Sequence, residues 1–330
     1  MALLIPGLIE KASFKHGCSQ GRSVCRLRAV WLPGIDSCWP VYYEFSYAFL
    51  RVDAVLGDRL KTYDPHAAKG LSGALLDMAS GLMKAELWFE FAKDEIQHRF
   101  RRSLLGVSWL VVSFAMFVAG VAYFFSGFAS MPMDEFVFHV AIGYAAYLFI
   151  IGNLIDGCEV FTSSKIWIKA MPLPYSIHVY RSITRSVLTL FMQFIIIAAL
   201  MIFYQKVPSI TYLLAIPALL IYVINAVFIQ FLLGLVAARH RDLGHLVTSI
   251  SRLLIFVTPI LWSREGMVGQ RAFIADLNPL THYVEILRAP LMGVPPRLTS
   301  WITVIAITIV SGVVTLLVAA VFRRRLPYWL

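Results

Sequence analysis

Residues 104–128, LLGVSWLVVSFAMFVAGVAYFFSGF, carry no charged side chain. A helix needs about 20 apolar residues to cross the hydrocarbon core of a bilayer. In lipid a helix also satisfies each backbone N–H and C=O within one segment. Working outward from this stretch, charge-free runs recur at residues 136–155, 186–204, 209–237 and 298–322, and a sixth run, 243–262, is interrupted only by Arg252. A water-soluble globule could not solvate that much apolar surface. The expected fold is an all-α polytopic membrane protein with six transmembrane helices.

Composition points the same way. Charged residues make up 15% of the 330 residues and hydrophobic ones 59%, where soluble domains carry about 25% charge. The net charge of +10 would suggest nucleic acid in a soluble chain, but the basic residues cluster between the apolar runs and no basic-aromatic module accompanies them. Topology explains them better, and nucleic acid is excluded as a partner. Lys93, Arg99, Arg101 and Arg102 precede the first run. Lys165, Lys169, Arg181 and Arg185 separate the second and third, Arg239 and Arg241 follow the fourth, and Arg323, Arg324 and Arg325 follow the last. By the positive-inside rule these are cytoplasmic, as are both termini. The 263–297 loop is the least comfortable fit, being outer, long and basic.

Residues 1–82 differ in character: mixed in polarity, without sustained periodicity and with no secretory h-region. They read as an expendable extension of uncertain order, the working start then lying at Met78 or Met83, with a small accessory domain as the alternative. Residues 83–103 form the next unit. Ala85, Trp88, Phe89, Ala92, Ile96 and Phe100 share one helical face and Glu86, Glu90, Lys93, Asp94, Gln97 and Arg101 the other. An amphipathic helix joined directly to a span is expected to lie in the cytoplasmic interface among membrane lipids. The transmembrane unit is 104–325. Within it, a short helix over 160–171 is expected to stop at Pro172 and Pro174, its Lys165, Ile166, Ile168 and Lys169 suited to docking on a protein or on the membrane surface. In the 263–297 loop, Asn278-Pro279 and Pro295-Pro296 leave 280–292 as a helix-length piece that folds back as a short re-entrant helix.

The chain shows no catalytic or metal-binding pattern. No phosphate-cradling G-x-x-x-x-G-K-[ST] loop, H-E-x-x-H, G-x-S-x-G or C-x-x-C occurs, and the eight histidines are dispersed. No cofactor or metal is expected. Ionisable residues at mid-membrane, usual in ion-coupled carriers, are lacking, so the energy for any transport comes from elsewhere. Arg252 has two readings: it snorkels to the cytoplasmic surface, or it holds an anionic, phosphate-bearing substrate at the inner mouth.

Three segments in order carry a family resemblance: Phe100-Arg101-Arg102-Ser103-Leu104-Leu105-Gly106-Val107-Ser108-Trp109; Arg241-Asp242-Leu243 leading to Thr258-Pro259-Ile260-Leu261-Trp262; and Leu277-Asn278-Pro279-Leu280 followed by Arg288-Ala289-Pro290-Leu291-Met292-Gly293. Together, over about 84–325, they resemble the ABC-type polysaccharide and polyol-phosphate export permeases, exporters of O-antigen, capsule or teichoic acid. Phe100 replaces a more familiar tyrosine, Arg252 an uncharged residue, and residues 1–82 have no counterpart. The resemblance implies a homodimer in a bacterial inner or plasma membrane, paired with two copies of a separate ATP-binding subunit, so that ATP is bound by the partner. It implies that Lys165, Ile166, Ile168 and Lys169 couple to that ATPase. Arg101 would belong to the gate near the pyrophosphate of a lipid-linked polysaccharide, where Arg252, a departure from the family, adds an unusual substrate contact, and Trp109, Tyr144 and Tyr147 would line the glycan channel. Asn278, Pro279 and Arg288 would belong to the outer gate. The rivals are an exporter of small hydrophobic molecules and a membrane-embedded glycosyl- or acyltransferase.

Overall fold

With so few charges to hold it in water, the chain can bury its backbone polarity only in helices, and the computed structural model is built from them. It describes residues 70–330 except 126, 128–130, 208 and 265–268, and no strand occurs among the described residues. Residues 1–69 of the expected extension lie outside the described residues, whereas its last part forms a helix, α1 (Gly70–Leu82). There follow α2 (Ala85–Phe100), α3 (Trp109–Phe125), α4 (Met133–Ser163), α5 (Lys165–Ala170), α6 (Ser176–Phe203) and α7 (Ala215–Arg239). The chain ends with α8 (Asp242–Val257), α9 (Gln270–Leu277), α10 (Pro279–Leu291), α11 (Leu298–Phe322) and α12 (Leu326–Trp329).

Among the described residues, five helical stretches are long and apolar enough to cross a membrane: Gly106–Phe125, Met133–Ser163, Ser176–Phe203, Ile210–Arg239 and Leu298–Trp329. The expected sixth span is helical only as α8, whose 16 residues reach about 24 Å, short of the ~30 Å hydrocarbon core. The cause is local. Pro259 disfavours the helical conformation in the residue before it, and Thr258 is extended, with φ −82° and ψ 135°. The rest of that apolar run becomes a turn that leads to α9 and α10.

α4 is the hub, packing against α3, α6, α7, α8 and α10. Its contact with α7 is close because Gly234 leaves room for Val160 and Phe161; a Cβ there would stand 2.7 Å from Val160 Cγ1 and 2.8 Å from a ring carbon of Phe161. The same interface holds a buried polar bridge, Gln230 Nε2 donating to Asn153 Oδ1 at 2.6 Å. The core runs through Phe149, Phe161, Tyr222, Phe231, Val284 and Leu287.

α2 packs along α6. It buries Leu87 and Ala92 and sets Phe91 against Trp167 at 5.6 Å, while Phe89, on the expected apolar face, stays exposed. Of the face read from the sequence, Ala92 is buried and the Trp88 ring lies 6.2 Å from that of Tyr180 of α6, while Leu87 and Phe91, outside that face, are covered as well.

Candidate functional site

The two ends of the bundle are built differently, and the expected site residues divide between them. At the end where α4 begins, residues 258–262 meet the Asn278-Pro279 and Arg288 parts of the last motif segment. The Asn278 side chain caps α10, accepting from the Leu280 N–H at 3.0 Å while its Nδ2 donates to Thr258 Oγ1 at 3.0 Å. Pro279 follows at the first helical position, where its missing N–H costs nothing. Arg288, 5% exposed, donates from Nη1 to the Pro259 carbonyl at 2.6 Å and lies 3.0 Å from His139 Nε2, with Nη2 reaching Glu285 at 3.3 Å. That His139 nitrogen is also 3.2 Å from the Trp262 carbonyl. A ring protonated on Nδ1 accepts from the guanidinium, and one protonated on Nε2 donates to the carbonyl. Asn278 and Arg288 are therefore brought together through Thr258 and Pro259, as a buried knot tying α10 to the break after α8 and to α4, while Pro279 is exposed beside it. Sequence reading dismissed His139 as one of the dispersed histidines; its role depends on a contact 149 positions away.

α10 is held further by its carbonyls. Pro290 interrupts its hydrogen-bond ladder, and the Pro290 carbonyl accepts from Thr211 Oγ1 at 3.1 Å. The Tyr283 carbonyl accepts from the Tyr222 hydroxyl. Around this knot opens a cleft of about 690 Å³. Its lining carries four full cations, Lys206, Arg264, Arg288 and Arg297, and three carboxylates, Glu135, Asp276 and Glu285. Most are paired. Lys206 meets Asp134 at 2.7 Å, and this hydrogen bond raises the lysine pKa. Arg264 holds Asp276 with two bonds, at 2.9 and 2.6 Å, and the bonded guanidinium lowers the carboxyl's pKa. His282 joins the Asp276 carbonyl, at 2.9 Å, to Ser300 Oγ, at 3.1 Å. Nearly neutral in sum and rich in donors and acceptors, the cleft suits a polar, uncharged ligand better than an ion.

The opposite end carries α2, α5 and the chain terminus. α5 is one turn and a half, with Lys165, Ile166 and Lys169 exposed and Ile168 half-buried against the core. Behind it, Asp77 of α1 is fully buried. Its carboxylate accepts from the backbone N–H groups of Tyr175 and Ser176 at 3.1 and 3.0 Å, and pairs with Arg323 at 3.5 Å. Ser176 Oγ returns a bond to the Asp77 carbonyl at 2.7 Å, and Tyr180 donates to the Met78 carbonyl at 2.9 Å. Gly81 permits the approach, since a Cβ there would lie 2.1 Å from Ser176 Oγ. Residues 70–82, assigned to an expendable extension, thus close the loop that follows α5; nothing in a lone Asp among apolar residues announced this. Glu95 of α2 pairs with Arg181 at 3.4 Å and with Arg185, which also holds Asp156 at 2.8 Å.

The remaining expected residues are scattered. Arg101 is exposed just beyond α2 and Arg252 is exposed on α8, on separate elements, and neither lines either cleft described here. Trp109 is 45% exposed at the start of α3. Tyr144 is half-buried and stacked on Phe117 at 3.8 Å. Tyr147 is buried, its hydroxyl donating to the Ser251 carbonyl of α8, so its ring serves the α4–α8 contact.

Comparison with known proteins agrees with this architecture. The ABC-2 type transporter family matches residues 86–292, from the first turn of α2 to the end of α10. The O-antigen export system permease protein RfbA of Myxococcus xanthus is 21% identical over 246 residues, covering 72% of this chain and 92% of that protein. Members of this family are multi-pass membrane subunits of transporters and not themselves catalytic, and membership implies an ABC ATPase as partner. A match over most of the transmembrane region leaves one assignment: this chain belongs to the ABC-2 type transporter membrane family.

Proposed function

We propose that the chain is the membrane subunit of an ATP-driven exporter that moves a lipid-linked surface polysaccharide, of O-antigen, capsule or teichoic-acid type, across the inner or plasma membrane. The observation that carries this reading is the similarity to an O-antigen export permease over nearly that protein's whole length. The polar, charge-balanced cleft at the outer end supports it: a polymer of hydroxyls needs donors and acceptors along its way, because each one buried unpaired costs about 1–3 kcal/mol. In this reading the subunit works as a homodimer with two ATPase copies and keeps both termini in the cytoplasm. α5 offers Lys165, Ile166 and Lys169 to the ATPase. α8, α9 and α10 replace a sixth simple span, with the two short outer helices folding back as the gate and Asn278 and Arg288 pinning its base.

Arg101 and Arg252 meet the substrate's phosphates. An arginine exposed on a helix such as α8 costs about 2.5–3.5 kcal/mol against lipid, so it is better placed against a second copy or a phosphate. The second copy also accounts for the apolar stripe of Leu246, Ile250, Leu253 and Phe256 on α8, about half or more exposed, with Trp109 contributing aromatic surface to the path. The test is genetic. Deleting the gene should trap lipid-linked polymer inside the cell and clear it from the surface; normal surface polymer in a clean deletion would refute export.

A further inference from the structure

A second cleft, of about 460 Å³, lies between α3, α4 and α6. Its mouth is charged, with Arg99, Asp156 and Arg185 in the lining. Arg181 and Arg185 are engaged with Glu95 and Asp156. Counting Arg99, three guanidinium groups face two carboxylates. Arg99 is exposed and makes no ion pair among the described residues. From Asp156 to Tyr144 the lining follows α4 for about 18 Å, a little more than half of the ~30 Å hydrocarbon core. There the lining stops, where Tyr144 stacks on Phe114 at 5.8 Å and on Phe117. The slot therefore has the depth of one leaflet and does not cross the bilayer.

Its walls are mostly hydrocarbon. The Ser113, Ser186 and Thr189 hydroxyls bond to carbonyls of their own helices, Trp109, Ser182 and Arg185, at 2.7, 3.2 and 2.9 Å. Gln193 is the exception: it is 5% exposed, lines the slot, and its amide oxygen has no hydrogen-bond partner among the described residues. A buried unpaired amide at this depth is costly, so the occupant should bring a polar group below its head. A half-turn of the carboxamide offers either an acceptor or two N–H donors.

We propose that this slot binds one anionic glycerophospholipid from the leaflet on the α2 side. Its phosphate sits beside Arg99, its ester and glycerol region meets Gln193, and an acyl chain fills the space towards Tyr144. A polyprenyl carrier fits the mouth but has unbroken hydrocarbon below its phosphate and leaves Gln193 unpaired. The proposal needs only the membrane location and stands apart from the identity of any exported substrate.

The experiment is lipid retention by the purified full-length protein in detergent, read by native mass spectrometry. The probes are phosphatidylglycerol, phosphatidylcholine and undecaprenyl phosphate. Phosphatidylglycerol should be retained over phosphatidylcholine. Arg99→Gln, at an exposed position that folding does not need, should lose about tenfold of that preference, the scale of one charge-assisted bond. Gln193→Leu should weaken retention of both phospholipids and leave the charge preference intact. Equal retention of the two phospholipids by the unmodified protein would overturn the proposal. So would unchanged retention in both variants, or undecaprenyl phosphate displacing phosphatidylglycerol with an affinity insensitive to Gln193→Leu.

Discussion

The knot at the base of α10 and the brace behind α5 solve one problem, fixing short segments to long helices, by different chemistry. The α10 knot does it mainly with backbone carbonyls and neutral side chains around one buried cation, Arg288. The end that carries α5 does it with carboxylates: Asp77 gathers partners from two segments, and Glu95 takes two arginines of α6. The knot adds one ion pair, Arg288 with Glu285, to mainly neutral contacts, while the carboxylate brace depends on both charges being present. The first suits a segment that has to keep its shape beside a polar cleft. The second suits a segment that has to yield when a partner pushes on it.

The sharpest way to break this contrast is at Arg288. Arg288→Leu should destabilise the protein by about 3–5 kcal/mol, since its acceptors are left buried and unpaired, seen as a large fall in thermal midpoint in detergent. Asp77→Asn should cost less, about 2–3 kcal/mol, because an amide oxygen still accepts one N–H while the charge facing Arg323 is gone; a chain starting at Met78 should behave no better. If the two rank in the opposite order, the brace behind α5 is the stronger fixture.

The same contrast explains what could be read before the fold was known. Thr258-Pro259, Asn278-Pro279 and Arg288 lie within 31 residues and stand out as punctuation in an apolar run, so the site at the base of α10 was legible as a set. The long helices were legible too, because lipid leaves the backbone no alternative. Asp77 was not, since its partners lie 98 and 99 positions away and no local pattern marks it. The sixth span misled for a related reason: hydropathy counted Thr258–Trp262 as apolar, while the backbone restriction before Pro259 ended the helix.

Smaller effects sharpen the comparison further. Asn278→Ala removes one cap and one side-chain bond and should cost about 1–2 kcal/mol, with faster amide exchange confined to the start of α10. Lys165→Glu with Lys169→Glu should leave stability within about 0.5 kcal/mol, as surface changes do, yet abolish stimulation of the partner ATPase; unchanged stimulation would remove α5 from the docking role. The least effect should come from pH. Because Arg264 lowers the Asp276 pKa, that pair's stabilisation is present above the carboxyl's unfolded value. It is lost as pH falls through the lowered folded value, below about pH 4. Exchange in α9 should be flat through neutrality and rise only there.

The central claim is that this subunit offers a passage whose movement another subunit powers. Reconstituting it in liposomes with a lipid-linked glycan, with and without its ABC ATPase, tests that most directly. The account predicts no ATP hydrolysis and no glycan translocation from the chain alone, and ATP-dependent translocation when the ATPase is added. Vectorial glycan movement by the chain alone would contradict it.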